Sequence, residues 1–267
     1  YVGLGVMYCK GQGVAQNYGE AFQWFQKAVD NGDPVAYGWL VSMYYNGQGV
    51  SQNYGEAFKW TKKAAEKGIA AAYAGLGGMY YNGQGVAQNY NEAFKWYQKA
   101  ADNGVTGAYT WLGVMYYNGQ GVAQNYEKAF LWTKKAAENG AADAYVGLGV
   151  MYCKGQGVAQ NYNEAFKWYQ KAADNGVASA FAYLGEMYYA GDGVAQNYNE
   201  AFKWFQKAAD NGITTGIYYF LADMFYTGKT GITDYSQAKK YAELAIKNDT
   251  LDVVGHRILA KLYIHGY

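Results

Sequence analysis

The residues able to do chemistry are few, and their spacing argues against it. His256 and His265 stand nine apart near the C-terminus. No cysteine or carboxylate cluster accompanies them at the spacing a metal ion needs, so they read as surface or packing residues. Gly228-Lys229-Thr230-Gly231 contains the end of a phosphate-binding loop, but the glycine that opens the G-x4-G-K-[ST] frame is missing. Ser236-Gln237-Ala238-Lys239 is an S-x-x-K beside Lys229-Thr230-Gly231, a K-T-G. Serine enzymes that act on β-lactams combine these two pieces with an S-D-N. Here the K-T-G comes first and no S-D-N lies between. No catalytic residue is assigned, no metal site, and no cofactor.

What the chain does contain is repetition. The stretch GQGVAQNY at 11–18 returns with little change at 47, 83, 119, 155 and 191, a period of 36 residues. Such a period marks a stacked array in which identical blocks solve one packing problem again and again. The blocks run 1–32 (partial), 33–68, 69–104, 105–140, 141–176, 177–212, 213–251 (diverged) and 252–267 (partial), read as a single array over 1–267. Residues 1–18 match 145–162 letter for letter, so both ends are expected to be cut from a longer sequence. No apolar run approaches the ~18 residues that cross a membrane. A net charge of +1 offers no basic stripe for nucleic acid. Cys9 and Cys153 lie four repeats apart, too far for a disulfide within one chain if each repeat advances the stack by about 10 Å.

One complete block, DPVAYGWLVSMYYNGQGVSQNYGEAFKWTKKAAEKG at 33–68, reads as a helical hairpin. Ala36, Leu40, Met43 and Tyr44 make a helical stripe facing a core. Asp33-Pro34 suits a helix start and Asn46-Gly47 a stop. Asn53-Tyr54-Gly55-Glu56 fits a capping box, and the pattern recurs at Asn17, Asn89, Asn161 and Asn197. At Asn125 the third residue on is Lys128, so reciprocity is expected to fail there. Behind the cap, Tyr54, Ala57, Phe58, Ala64 and Ala65 form an apolar face, with Glu56, Lys59 and Lys63 on the solvated side. Neither helix can bury its face alone, and the fold expected is an all-α solenoid of about seven hairpins.

The pattern A-x3-L-G-x-M-Y-x2-G-x-G-V-x2-N-Y-x2-A-F-x-W-x2-K-A-A-x2-G resembles the Sel-one-like repeat (SLR) family, a relative of tetratricopeptide arrays. It covers essentially the whole chain. The resemblance implies a right-handed superhelix whose first helices line a concave side. It also implies a scaffold or adaptor that binds proteins in bacterial signalling, secretion or envelope systems, with the periplasm or a secreted location favoured over the cytoplasm. A cysteine-rich branch similar to this family is linked with β-lactams, but this chain lacks its paired cysteines.

Variation between blocks points to a surface. Leu4, Leu40, Leu76, Leu112, Leu148 and Leu184 scarcely change, nor does the methionine three residues on. The column Gly3, Trp39, Gly75, Trp111, Gly147, Tyr183, Phe220 does change. So does Val6, Ser42, Gly78, Val114, Val150, Glu186, Asp223, and a third column runs Cys9, Tyr45, Tyr81, Tyr117, Cys153, Tyr189, Tyr226. Exposed aromatic strips mark interaction sites, where tyrosine and tryptophan are favoured anchors. The candidate binding residues are therefore Trp39, Tyr45, Tyr81, Trp111, Tyr117, Tyr183 and Tyr189, gripping a protein or peptide. For the tryptophan column a second reading stays open: Trp39 and Trp111 fill gaps left by small residues of adjoining repeats. Two other functions also stay open, an immunity-type partner that wraps a toxin enzyme and a carbohydrate or cell-wall binder. The chain is expected to be monomeric in isolation. The last quarter departs from the rule at GKTGITDY, and its end reads either as a terminal unit with a wetter outer face or as a diverged repeat.

Overall fold

The computed structural model describes residues 1–248, 253–264 and 266. Among these residues there are fifteen α-helices and no strand. They fall into two compact units, Tyr1–Asn139 and Gly140–Tyr267. The first unit holds α1 (Val2–Lys10), α2 (Tyr18–Asp30), α3 (Val35–Asn46), α4 (Tyr54–Glu66), α5 (Ala70–Asn82), α6 (Tyr90–Asp102), α7 (Thr106–Asn118) and α8 (Tyr126–Glu138). The second holds α9 (Ala142–Lys154), α10 (Tyr162–Asp174), α11 (Ala178–Ala190), α12 (Tyr198–Asp210), α13 (Ile217–Thr227), α14 (Tyr235–Asn248) and α15 (Val253–Ile264). Within each unit, successive helices pair into hairpins and the second helix of one hairpin packs on the first of the next. This is the tandem layout of an all-α solenoid.

The stripes expected from the sequence are buried. Leu40, Leu76, Leu112, Leu148 and Leu184 are excluded from solvent, as are Ala21, Ala57, Ala93, Ala129, Ala165 and Ala201 of the second helices. Alanine at this last column lets paired helices approach closely. The outward stripe carries ion pairs such as Lys59–Glu56 at 2.6 Å and Lys95–Glu92 at 2.7 Å, and lysines laid over aromatic rings, as Lys63 over Trp60. Exposed pairs of this kind contribute little to stability.

Each second helix begins the same way, but not as a full capping box. The Asn53 side chain accepts the Glu56 backbone N–H at 3.0 Å, and the other five caps do likewise, Asn125 with Lys128 at 2.8 Å. The return arm is not made by glutamate. The Asn53 N–H donates to the Tyr44 carbonyl at 2.8 Å, and Asn125 N–H to the Tyr116 carbonyl at 2.9 Å. A backbone bond therefore closes every such hairpin, Glu56, Glu92, Glu164 and Glu200 are released to pair with lysine, and the lysine at 128 costs the motif nothing.

The loop between paired helices rests on the preceding repeat. Gly85 has a φ of 72°, and a Cβ placed there would lie 2.0 Å from the Tyr54 carbonyl oxygen. Gln52, Gln88 and Gln124 tie the loop from within, each donating to the carbonyl seven residues back at 2.8–2.9 Å. In the diverged repeat one extra residue is taken up before α13, where Gly216 adopts a φ of 75°. Asp234 there replaces the asparagine cap and accepts the Gln237 N–H at 2.9 Å. The final helix, α15, buries Ile258 and Leu262 with Ala222, Ala238 and Ala242, and leaves Arg257 and Lys261 exposed.

Gly104→Ala, where an added Cβ meets nothing within 4 Å, imposes only left-handed strain of about 1–2 kcal/mol. Gly85→Ala adds an overpacking cost of about 1–3 kcal/mol against the Tyr54 carbonyl. Urea unfolding followed by circular dichroism is expected to show the larger drop in midpoint for Gly85→Ala.

Candidate functional site

The aromatic columns are held by contacts that start in the second helices. In the first unit Phe25 is fully buried, and the space for its ring exists because residue 5 is glycine: a Cβ there would come 2.5 Å from the ring. Trp39 of the next hairpin lies over the other side, rings 5.0 Å apart and 4° from parallel. Two repeats on, Gly77 makes room for Tyr97, and Trp111 covers it at 5.6 Å and 8°. In the second unit Gly149 admits Tyr169 and Tyr183 covers it at 4.6 Å and 9°. Gly185, Phe205 and Phe220 repeat the arrangement at 4.7 Å and 10°. Offset parallel rings of this kind add about 0.5–1.5 kcal/mol beyond the area they bury.

The alternation of the tryptophan column thus has a packing cause, though not a large-against-small one. Rings sit on rings, and between them small residues face small residues. At the intervening repeat the buried position is Thr61, whose hydroxyl satisfies itself on the Ala57 carbonyl at 2.8 Å, and the residue facing it is Gly75. Among the described residues no ring lies over this level, and only Gly75 caps the buried Thr61. A cleft of about 470 Å3 opens there, floored by Ala71, Ala74, Gly75 and Gly78 of α5 and flanked by Tyr45 of α3 and Trp111 of α7. Trp111 keeps 38% of its surface exposed.

The tyrosine column is half-buried and does structural work through its hydroxyls. Tyr45 accepts the Gln84 side-chain amide at 2.7 Å, and Tyr81 donates to the Gln120 side chain at 2.8 Å, each reaching into the next repeat. Their rings meet Tyr54 and Tyr90 edge-on at 5.0 Å, and Tyr117 meets Tyr126 at 5.2 Å. Tyr81 and Trp111 are brought together at 4.9 Å. In the second unit Tyr189 donates to Asp223 at 2.7 Å, and Lys229 bonds to both Tyr189 and Asp223. Tyr183 and Tyr189 share the wall of a second cavity in that unit. The sequence reasoning passed over the Phe25, Thr61, Tyr97, Thr133, Tyr169, Phe205 column and the loop glutamines. The signal was available, since that column changes in step with Trp39, Gly75, Trp111, Gly147, Tyr183 and Phe220.

The residues weighed for chemistry do not converge. Lys229 is engaged by Asp223 and Tyr189, and Lys239 lies over the Tyr263 ring. Ser236 is exposed on α14, His256 is exposed on α15, and His265 lies outside the described residues. Cys9 and Cys153 are free thiols. Among the described residues no group of three or more metal-ligating side chains occurs, and no helix is long and apolar enough to cross a membrane.

These features coincide with a known repeat. The Sel1 repeat model matches residues 1–33, 35–69, 70–105, 106–140, 142–177, 178–213 and 218–249. Among solved structures the chain is similar to c5321, a protective antigen of uropathogenic Escherichia coli strains with an SLR fold. The identity is 33% and the TM-score 0.91, over 100% of this chain and 56% of that one. It is also similar to a Sel1 repeat protein from Oxalobacter formigenes, at 30% identity and a TM-score of 0.78, over 90% of this chain and 94% of that one. Likeness to the C-terminal part of a TPR repeat-containing protein from Cytophaga hutchinsonii, at 17% identity and a TM-score of 0.55, concerns the fold alone. No curated protein matches the chain. The chain belongs to the Sel1 repeat family, and it spans little more than half the length of the E. coli antigen. Proteins of this family are in general non-catalytic scaffolds for protein interactions.

The Tyr189 cluster has a consequence in alkali. Burial, with the neighbouring Asp223 carboxylate adding to it, pushes the Tyr189 hydroxyl up from 10.0 to about 12. A pKa raised on folding gives stability that is complete below pH 10 and lost as pH rises through about 12. Burial pushes Tyr97 and Tyr169 higher still. Absorbance titration of tyrosinate is therefore expected to lose one phenol from the step near pH 12 in Tyr189→Phe while the later ones remain, and that variant should lose less stability between pH 10 and 12.

Proposed function

We propose that this chain is a non-catalytic scaffold that takes a protein or peptide on its aromatic columns, Trp39, Tyr45, Tyr81, Trp111 and Tyr117 in the first unit and Tyr183 and Tyr189 in the second. The observation that carries this reading is the uncovered level at Thr61 and Gly75. At the levels before and after, the chain supplies its own indole, Trp39 over Phe25 and Trp111 over Tyr97. At Gly75 it supplies none, and the cleft lining contains no charged side chain. An apolar or aromatic side chain from outside is the natural complement, since a part-exposed tryptophan beside a concave, uncharged wall is the usual composition of an interface anchor site. The hydroxyl bonds of Tyr45 and Tyr81 favour the same reading. They hold the rings in fixed positions before a partner arrives, which lowers the ordering cost of binding.

The test fills the cleft with the chain's own solution. A Cβ at Gly75 would come 3.1 Å from the Thr61 methyl, a contact that a small shift relieves. Gly75→Trp is therefore expected to fold. The wild-type array serves as bait, and proteins it retains are identified by mass spectrometry. Retention of such a protein should fall about tenfold or more in Gly75→Trp, in line with an anchor worth roughly 1–3 kcal/mol. Equal retention by wild type, Gly75→Trp and Trp111→Ala would remove the reading.

A further inference from the structure

The second unit carries a cavity of different chemistry, about 480 Å3 in volume. Its walls include the rings of Tyr162, Tyr169, Tyr183 and Phe220, and it contains the side chains of Glu186 and Asp192. Three departures from the repeat create it. In the first unit Tyr45 meets Gln84 and Tyr81 meets Gln120, each a first-helix tyrosine bonded to a glutamine of the next repeat's loop. Here the tyrosine is Cys153 and the loop residue is Asp192, so both the ring and the bridging amide are lost. Glu186 stands where other repeats carry Val6, Ser42, Gly78, Val114 or Val150. Space is opened and two carboxylates line it, neither of them in an ion pair among the described residues. One lysine, Lys154, also lines the cavity, which leaves its net charge negative. Glu186 and Asp192 are both exposed at the cavity, and the partial loss of water around Glu186 raises its pKa above the ordinary carboxylate value.

The following repeat shows the same place filled from within. Asp223 occupies the column of Glu186, Lys229 the column of Asp192, and Tyr189 the column of Cys153. The Lys229 ammonium lies 2.7 Å from the Asp223 carboxylate and 4.4 Å from the centre of the Tyr189 ring. A carboxylate and an aromatic face together hold a cation, each by ordinary electrostatics. One repeat earlier, rings and carboxylates are present, and among the described residues no cation, Lys154 included, is paired with either carboxylate.

We propose that the cavity at Cys153 receives a lysine or arginine side chain of a protein partner, its cationic head between Glu186 and Asp192 and its stem along the tyrosine rings. Placing that cation on a protein rests on the interaction reading above. The socket itself is tested without any partner.

Nα-acetyl-arginine methylamide and Nα-acetyl-lysine methylamide are titrated into the full chain and followed by amide chemical shifts, with Nα-acetyl-norleucine methylamide as the neutral control. Saturable shifts around residues 150–192 are expected for the two cations and none for norleucine. Affinity should fall about tenfold or more in Glu186→Gln with Asp192→Asn, the loss typical of charged hydrogen bonds. Cys153→Tyr with Asp192→Gln, which restores the bridging pair of the other repeats, should close the cavity while preserving helicity. Equal binding of norleucine, unchanged affinity in the charge-neutral double variant, or tighter binding of spermidine than of either amide would overturn the proposal. Failure of the amides leaves capture through the Gly75 cleft untouched. Failure of Gly75→Trp to change capture leaves amide binding untouched, so the two readings fall separately.

Discussion

The arrangement turns on one contact: a ring on the second helix of a hairpin, seated on a glycine of its own first helix and covered by the first helix of the next. Gly77, Tyr97 and Trp111 show it in full. A hairpin has no way to bury both faces by itself, so stability in such arrays comes from interfaces between neighbours rather than from a central core. The glycine admits the ring, the ring presents a flat face, and the following residue covers that face or leaves it open. Backbone elements serve this contact. The bond from each asparagine cap to the tyrosine carbonyl closes the hairpin, and the close approach of Gly85 to the Tyr54 carbonyl seats one hairpin on another.

The fold was legible because its signals are local and periodic. Leu40 and Met43 at helical spacing, the Asn53 cap and the Gly47 stop each act within a few residues, and each is found where expected. The candidate site was legible only in part. Trp39 and Tyr45 were marked by type and by their departure from the core stripe, but their partners lie 14 residues back and 39 residues on, at Phe25 and Gln84. Periodicity within one helix says nothing about a neighbour in another. The capping box misled for a related reason. The N–H that Glu56 was expected to accept was already taken by Tyr44, a residue in the preceding helix.

The same geometry explains why this surface can change while the layers do not. Gln84 and Tyr45 act at the edge of the stack, and replacing such a pair leaves Leu40, Ala57 and their equivalents undisturbed. At Cys153 and Asp192 the pair is replaced, and a cavity appears beside an intact stack of Tyr169 and Tyr183. A scaffold of this kind holds its form in one set of positions and its chemistry in another.

The pairing of ring with ring and threonine with glycine also bears on how the gene grew. A block of 36 residues carries one half of each pair at its lower edge and the other half at its upper edge. Inserting a single copy would set a tryptophan over a threonine, or leave a ring bare. A two-block copy keeps the alternation in phase. The long identical stretches that include such a pairing position obey that rule: 87–104 and 159–176 are offset by 72 residues, and 1–18 and 145–162 by 144, whereas 79–90 and 115–126, identical at an offset of 36, include none. Over these stretches the module that keeps its pairing is two hairpins, and the block at 177–212, with Tyr183 and Phe205 at its two edges, steps out of that alternation.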